Sequence, residues 1–372
     1  MVKFSDLFEF QGKSGIKAGA GLASGKYPFY TSSRDLSKYS DDFLFQGDSL
    51  IFGTGGEASV HFNNGKFAVS TDCLVAQPKT HLKVESRYYY YFLKGNIHIL
   101  EKGFRGAGLK HISKGYISQI ELPTEDYQRQ KHVVKILDSV ESLLLKRKQS
   151  LQLLDDFLRA TFLDMFGDPV LNSKKWRKTL LQNAFSIEKE GTKCGPFGSA
   201  LKKKEYVLNG VPVLNMDNIT SNGFGQTGCL FITEKKYQEL KSYSVSNGDI
   251  IISRAGTVGK MCAVTGVAGP SIISTNLIRL SLNNKLIKPE YFVSLFKYYG
   301  KHIGKLRAGA DGAYSFMNTG ILKRLEIPQP PINVQEKFST IKKNIEKIRQ
   351  KILLSLDELL NQLNALMQQY FS

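Results

Sequence analysis

The chain nearly repeats itself, and this limits its possible folds more than any other feature of its 372 residues. Gly47-Asp48-Ser49-Leu50-Ile51-Phe52 is echoed by Gly248-Asp249-Ile250-Ile251-Ile252-Ser253, and each run enters a glycine-containing turn, Gly53-Thr54-Gly55-Gly56 and Ala255-Gly256-Thr257-Val258-Gly259-Lys260. Val69-Ser70-Thr71-Asp72-Cys73-Leu74 then matches Ile273-Ser274-Thr275-Asn276-Leu277-Ile278, and Ile120-Glu121-Leu122-Pro123 matches Leu325-Glu326-Ile327-Pro328. An earlier pair, Tyr27-Pro28-Phe29-Tyr30 with Val211-Pro212-Val213-Leu214, fits at a shorter offset. One match could be chance, but several in the same order mark a duplication whose insertions sit in loops.

Each half begins as short β-rich runs bounded by Gly, Asn, Ser and Asp, with one helical stretch near Tyr88 to Leu100 and a counterpart at Tyr291 to Ile303. That pattern predicts a mixed, strand-rich α/β domain. The run Tyr88-Tyr89-Tyr90-Tyr91 reads as ordinary helix packing, since its counterpart lies on an amphipathic pattern.

After each proline signal the period changes. Val133, Leu137, Val140, Leu144, Leu151, Leu154 and Leu158 fall at steps of four and three, with Arg147 the polar exception, which is the spacing of a coiled-coil seam. In the second half a capping box at Asn333-Val334-Gln335-Glu336 precedes Phe338, Ile341, Ile345, Ile348 and Ile352, then Leu356, Leu359, Leu363 and Leu366 after a stutter. The expected division is a globular domain over 1–123, a long helix over 124–167, a second globular domain over 168–328 and a second helix over 329–372. Each helix would be about 60 Å long at 1.5 Å per residue, one to two turns of B-DNA. If a two-fold axis relates the halves, the helices pair antiparallel and the C-terminus near Phe371 returns close to the first domain.

Charge points to the partner. Lys and Arg number 51 against 33 Asp and Glu, a net charge of +18, and such an excess attracts polyanions and releases their counterions. Nucleic acid is the leading class. The 42% of hydrophobic residues suffices for real cores, yet no stretch is apolar enough to span a bilayer and the N-terminus lacks a signal-peptide core. Cys73, Cys194, Cys229 and Cys262 are scattered, which suits a reducing cytoplasm and offers no zinc framework.

Catalytic motifs are missing. Gly256-Thr257-Val258-Gly259-Lys260-Met261 would be a phosphate loop only with glycine in place of Arg254 and Ser or Thr in place of Met261. Pro328-Gln329-Pro330-Pro331-Ile332 lacks the leading Asn or Asp and the aromatic of an amino-methyltransferase loop, and serves instead as a helix entry. No H-E-x-x-H motif and no cluster of histidines occurs, so neither catalysis nor a metal is expected of this chain.

Two divergent domains, each with Gly-Asp and two hydrophobic residues, a Gly-rich turn, a Ser-Thr-Asn/Asp strand and an Ile/Leu-Glu-Leu/Ile-Pro exit into a long helix starting near a Gln, resemble the specificity subunit of type I restriction-modification systems. The resemblance spans essentially the whole chain. It is most typical in the second half, at Gly248 to Arg254 and at Pro330-Pro331 before Gln335; the first half has Phe52-Gly53 for the Ser-Arg step and Thr124-Glu125 where a second proline often stands. It implies that each globular part is a target recognition domain reading half of a bipartite, asymmetric DNA site. It also implies that the helices space the halves and bind two methyltransferase subunits, and that restriction subunits join the complex. Catalysis, S-adenosylmethionine, ATP and Mg would then belong to partners, with no cofactor bound here. A coiled-coil scaffold, or the specificity subunit of a related phage-defence methyltransferase system, are the alternative readings.

Phosphate contacts should come from Lys and Arg near glycine-rich loops, and base contacts from a few polar side chains. The candidates in the second domain are Arg254 and Lys260 flanking the Gly256 loop, Asn215 and Asp217 after Pro212, Lys202, Lys203 and Lys204, and Arg307. In the first they are Tyr30, Ser32 and Arg34 after Pro28, Thr54, and Arg105 with Lys110.

Overall fold

Gly47 and Gly248 adopt φ of +93° and +90°, which only glycine enters at little cost, and each turns the chain into the buried central strand of a four-stranded sheet. A computed structural model describes residues 1–106, 108–220, 223–254, 259–299 and 318–371. In the first repeat the sheet runs Phe8–Phe10, Cys73–Pro78, Ser49–Gly53, Ser59–Asn63; in the second it runs Thr192–Cys194, Leu277–Leu280, Ile250–Ser253, Met261–Ala263. Both are antiparallel throughout.

The duplication extends to detail. Each repeat has a second sheet with one parallel pair, Phe29 opposite Ala68 in one and Val213 opposite Ile272 in the other. In each, the entry strand pairs with the exit strand: Val2 opposite Leu122, and Thr179 opposite Ile327.

The ladders shift one motif match by a residue. Gly53 lies opposite Cys73 and Ser253 opposite Leu277, and Cys73 and Leu277 both directly follow the Ser-Thr-Asp/Asn triplet. Gly53 is therefore the counterpart of Ser253, and Thr54 that of Arg254. Burial agrees: Leu50 and Phe52 face the same core as the first long helix, as Ile250 and Ile252 face that of the second repeat, while Ile51 and Ile251 face smaller cores. Because strand side chains alternate faces, only this register keeps apolar residues on matching sides.

Contacts divide the chain into two compact units, Met1–Gln149 with Leu353–Ser372, and Ser150–Ile352. The long helices, Tyr127–Phe166 and Ile332–Phe371, contribute to both. In the first unit the Arg129 guanidinium lies over the Tyr370 ring, and Leu363, Met367 and Phe371 join the core containing Val133, Leu137 and Leu144. In the second, Phe162 and Phe166 meet Phe338 edge to face while Asp155 pairs with Arg349. Within each unit, then, the early part of one helix lies beside the late part of the other, the antiparallel arrangement, and Phe371 packs on Tyr88 and Phe92 of the first repeat.

Of the seam positions, Val133, Leu137, Leu144, Leu158, Phe338, Ile345 and Leu363 are buried, and Val140, Leu151, Leu154, Ile341, Ile352, Leu356, Leu359 and Leu366 half-buried. Ile348 is not on the packed face. It is 48% exposed, and Arg349 takes the buried position, its Nη2 2.9 Å from Asp155. A helix of 3.6 residues per turn drifts from a 3.5 repeat by about 20° per heptad, which carries the packed stripe from one residue to the next.

Two further expectations change. The helical stretch at Tyr88 to Leu100 is two helices, Ser86–Gly95 and Ile97–Glu101, broken where the Asn96 carboxamide and amide both donate to Phe92 O. Its counterpart is Pro289–Tyr299, and the rest of the expected stretch lies outside the described residues. Tyr88, Tyr89 and Tyr91 are buried in ordinary helix packing. Asn333 does not cap the second long helix, which begins at Ile332; its Oδ1 accepts from Val334 N inside the first turn.

The glutamine after each proline exit has a structural role instead. Gln335, fully buried, donates from Nε2 to Pro330 O at 2.8 Å and Leu286 O at 3.0 Å, and accepts from Lys288 N at 2.9 Å. Gln130 likewise donates to Glu125 O and accepts from Glu85 N. Each glutamine ties a long helix to the loop entering the shorter helix of its own repeat. Gln335→Ala leaves these groups without partners, and we expect it to cost about 1–3 kcal/mol. The single tryptophan, Trp176, sits in the same unit, so urea unfolding followed by its fluorescence reads the loss directly. An unchanged midpoint would contradict the assignment.

Candidate nucleic-acid interface

In both repeats the Ser-Thr-Asp/Asn triplet forms a turn onto which two loops are hydrogen-bonded. In the first unit Ser70 N donates to Tyr30 O, and Asp72 O accepts from Thr54 N at 2.8 Å, Thr54 Oγ1 at 3.0 Å and Ser32 Oγ at 2.8 Å. Thr54 O in turn accepts from Ile112 N and faces His111 Nδ1 at 3.2 Å, while Arg105 and His111 exchange main-chain hydrogen bonds. Ser32, Arg34, Thr54 and Arg105 are thus brought to one loop cluster, with the exposed Lys110 beside His111.

The side chains there differ in freedom. The hydroxyls of Ser32 and Thr54 are engaged by the main chain, so they shape the loops rather than face a ligand. Arg34 pairs with Glu57 at 3.2 Å and Glu101 at 3.6 Å, exposed contacts that water or phosphate can replace at small cost. Tyr30 is a core residue: it is 6% exposed, its hydroxyl accepts from Asn63, and burial raises its pKa. It is corrected from contact residue to support, because position 30 sits inside the strand rather than in the loop after it. His61 and His111 belong to no sequence motif, yet both join this cluster. His61 Nε2 donates to Ser33 O at 2.9 Å, and burial lowers its pKa so that the neutral ring is favoured.

The second unit repeats the frame with other side chains. Ser274 N donates to Leu214 O, Arg254 N to Asn276 O, and Thr275 Oγ1 to Pro196 O. A Cβ on Gly195 would collide with Ser274 O, so the segment before Pro196 passes hard against this turn. The Arg254 guanidinium lies 4.5 Å from the centre of the Phe197 ring. Ser253 and Lys260 exchange hydrogen bonds across the neck of the following loop, leaving the Lys260 side chain exposed. Ala255 to Val258, and Arg307, lie outside the described residues.

The remaining candidates separate. The Asn215 carboxamide accepts from Asp217 N and donates to Gly228 O, a turn-building role, while the Asp217 side chain is exposed. Lys202, Lys203 and Lys204 are exposed on a short turn closed by Lys202 N on Glu205, whose carboxylate binds Lys236. Arg279, in a strand and marked by no sequence motif, is 2% exposed and donates to the carbonyls of Ser242, Ser244 and Glu190, with burial lowering its pKa. It ties loops together from beneath. Among the described residues no group of three or more His, Cys, Asp or Glu gathers as a metal site would require, and no helix is long and apolar enough to cross a membrane.

Comparisons with known proteins agree on one family. The model of the type I restriction modification DNA specificity domain matches residues 1–154 and 192–362. The type I restriction enzyme MjaVIII specificity subunit of Methanocaldococcus jannaschii is 22% identical over 371 residues, 94% of this chain and 86% of that protein. The EcoDI specificity subunit of Escherichia coli is 25% identical over 174 residues, covering 46% of this chain and 38% of that one. The crystal structure of a type I restriction-modification system S subunit from M. genitalium shares the fold, with a TM-score of 0.69 over 100% of this chain and 95% of that one, at 17% identity.

Proposed function

Because the chain belongs to the type I restriction-modification DNA specificity family, we propose that its two repeats read the two halves of a split DNA site and direct partner subunits to it. Chemistry then lies with two methyltransferase subunits, which supply S-adenosylmethionine, and with restriction subunits using ATP and Mg; this chain binds no cofactor and works in the cytoplasm. One observation carries the reading. The same triplet turn organises a loop cluster in each repeat, yet the equivalent position is Thr54 in one and Arg254 in the other. A common frame with unlike side chains is what reading two unlike half-sites requires. The net charge of +18 supplies the sequence-independent attraction to phosphates.

Methylation mapped across a host genome with and without this gene should reveal one bipartite motif with unequal halves. Binding to that duplex should weaken steeply as salt rises, and by tenfold or more when the spacer between halves changes by a base pair or two. Equal affinity for unrelated sequences would refute the proposal.

A further inference from the structure

In the second unit one arginine is held in a way that no other basic side chain is among the described residues of the two loop clusters. Arg254 follows the buried strand Ile250–Ser253, its main chain fixed by the bond from its N to Asn276 O. Its guanidinium lies over Phe197, and Nη1 is shielded from solvent with no acceptor among the described residues. Phe197 is 53% exposed, so its ring is open to solvent beside the guanidinium, and it follows the segment that Gly195 and Thr275 hold against the triplet turn. In the first unit Thr54 stands in Arg254's position with its hydroxyl engaged by Asp72 O.

We infer that Phe197 is a positioning residue that holds the Arg254 guanidinium on its face so that Arg254 reads a guanine in the half-site of the second repeat. This rests on the DNA-reading role proposed above. A planar guanidinium presents a fork of donors matched to the O6 and N7 acceptors of guanine, and no other base offers two acceptors side by side in the major groove. An arginine free in solvent loses rotamer entropy when it forms that pair, whereas one already stacked on an aromatic ring loses less. The ring itself makes no base-specific contact; it acts through Arg254.

Selection of duplexes by the full-length chain, from a library randomised over about two turns of B-DNA, tests this whatever the target sequence. The wild type should enrich a sequence with a guanine in one half whose preference falls about tenfold in Arg254→Ala. Phe197→Ala should lose the same preference to a similar degree, Phe197→Tyr should restore it, and the double variant should equal Arg254→Ala because the two act as one unit. Preferences in the other half should not change. Replacing that guanine with 7-deazaguanine, which lacks the N7 acceptor, should weaken wild-type binding and leave Arg254→Ala indifferent. Guanine preference surviving in Phe197→Ala, or absent in Phe197→Tyr, would overturn the positioning role. An enriched sequence with no guanine sensitive to Arg254→Ala would overturn the inference while leaving the reading role intact. A wild-type chain that enriches nothing would overturn both.

Discussion

A chain ended after Ile352 is expected to lose the fold of its first unit while keeping that of its second. The segment Leu353–Ser372 is the last in sequence, yet it belongs to the unit formed by Met1–Gln149. Leu363 and Met367 are buried in that core, and Leu356, Leu359, Leu366, Tyr370 and Phe371 pack half-buried against it. The seat is close: a Cβ on Gly95 would lie 2.8 Å from Met367 Cε. Each fully buried side chain contributes about 1.5–3 kcal/mol and the others a part of that, so the loss rivals the roughly 5–15 kcal/mol that holds an average domain. It also uncovers Tyr88 and Phe92, whose rings lie 5.1 and 5.9 Å from Phe371. Hydrogen exchange should show the amides of Ser86–Gly95 unprotected in the truncated chain and those of Ile250–Ser253 still protected. A peptide of residues 353–372 added in trans should restore part of the protection. Unaltered protection of Ser86–Gly95 would contradict this account.

The sequence made the frame legible because that frame depends on local signals repeated in order. Gly-Asp turns, the Ser-Thr-Asp/Asn triplet and the proline exits mark strand ends in both halves, and a seam of period 3.5 marks the helices. It misplaced details set by packing. The match of Phe52 to Ser253 fails by one residue because the path from Gly47 to Gly53 is one longer than that from Gly248 to Ser253, and only the ladder opposite Cys73 and Leu277 reveals it. Ile348 and Arg349 exchange roles because helical drift, together with Asp155 on the facing helix, decides which is buried. Within the candidate site, Ser32 and Thr54 look like free hydroxyls in sequence, yet one carbonyl, Asp72 O, takes both. Phe197 and Arg254 are far apart in the chain, and no periodicity joins them.

The Gly-Asp motif shows how one sequence signal can carry two energies, and it gives a prediction with its own control. Asp48 is exposed, whereas Asp249 is 4% exposed and accepts from Lys189 Nζ at 2.6 Å, Ser246 N at 2.7 Å and Ser281 Oγ at 2.7 Å. Those bonds pin the turn before strand Ile250–Ser253 to the neighbouring strand's exit at Ser281, at the end of the strand opposite Arg254. Asp249→Ala leaves the buried Ser281 hydroxyl without an acceptor, at about 1–3 kcal/mol, and the Ser246 amide at a smaller cost because Ser246 is exposed. Lys189, with 29% of its side chain exposed, can turn to water, so its share is smaller. The expected loss is about 3 kcal/mol, against about 0.5 kcal/mol or less for Asp48→Ala, an ordinary surface change. Asp249→Asn should fall between, since its Oδ1 still accepts from Ser281 while its amide faces both Lys189 and the Ser246 amide with the wrong polarity. Urea unfolding read at Trp176 reports the second unit alone and so measures Asp249→Ala and Asp249→Asn, while hydrogen exchange of Ser49–Gly53 measures Asp48→Ala in the first. Equal costs for the two aspartates would mean that the buried carboxylate does not hold the turn.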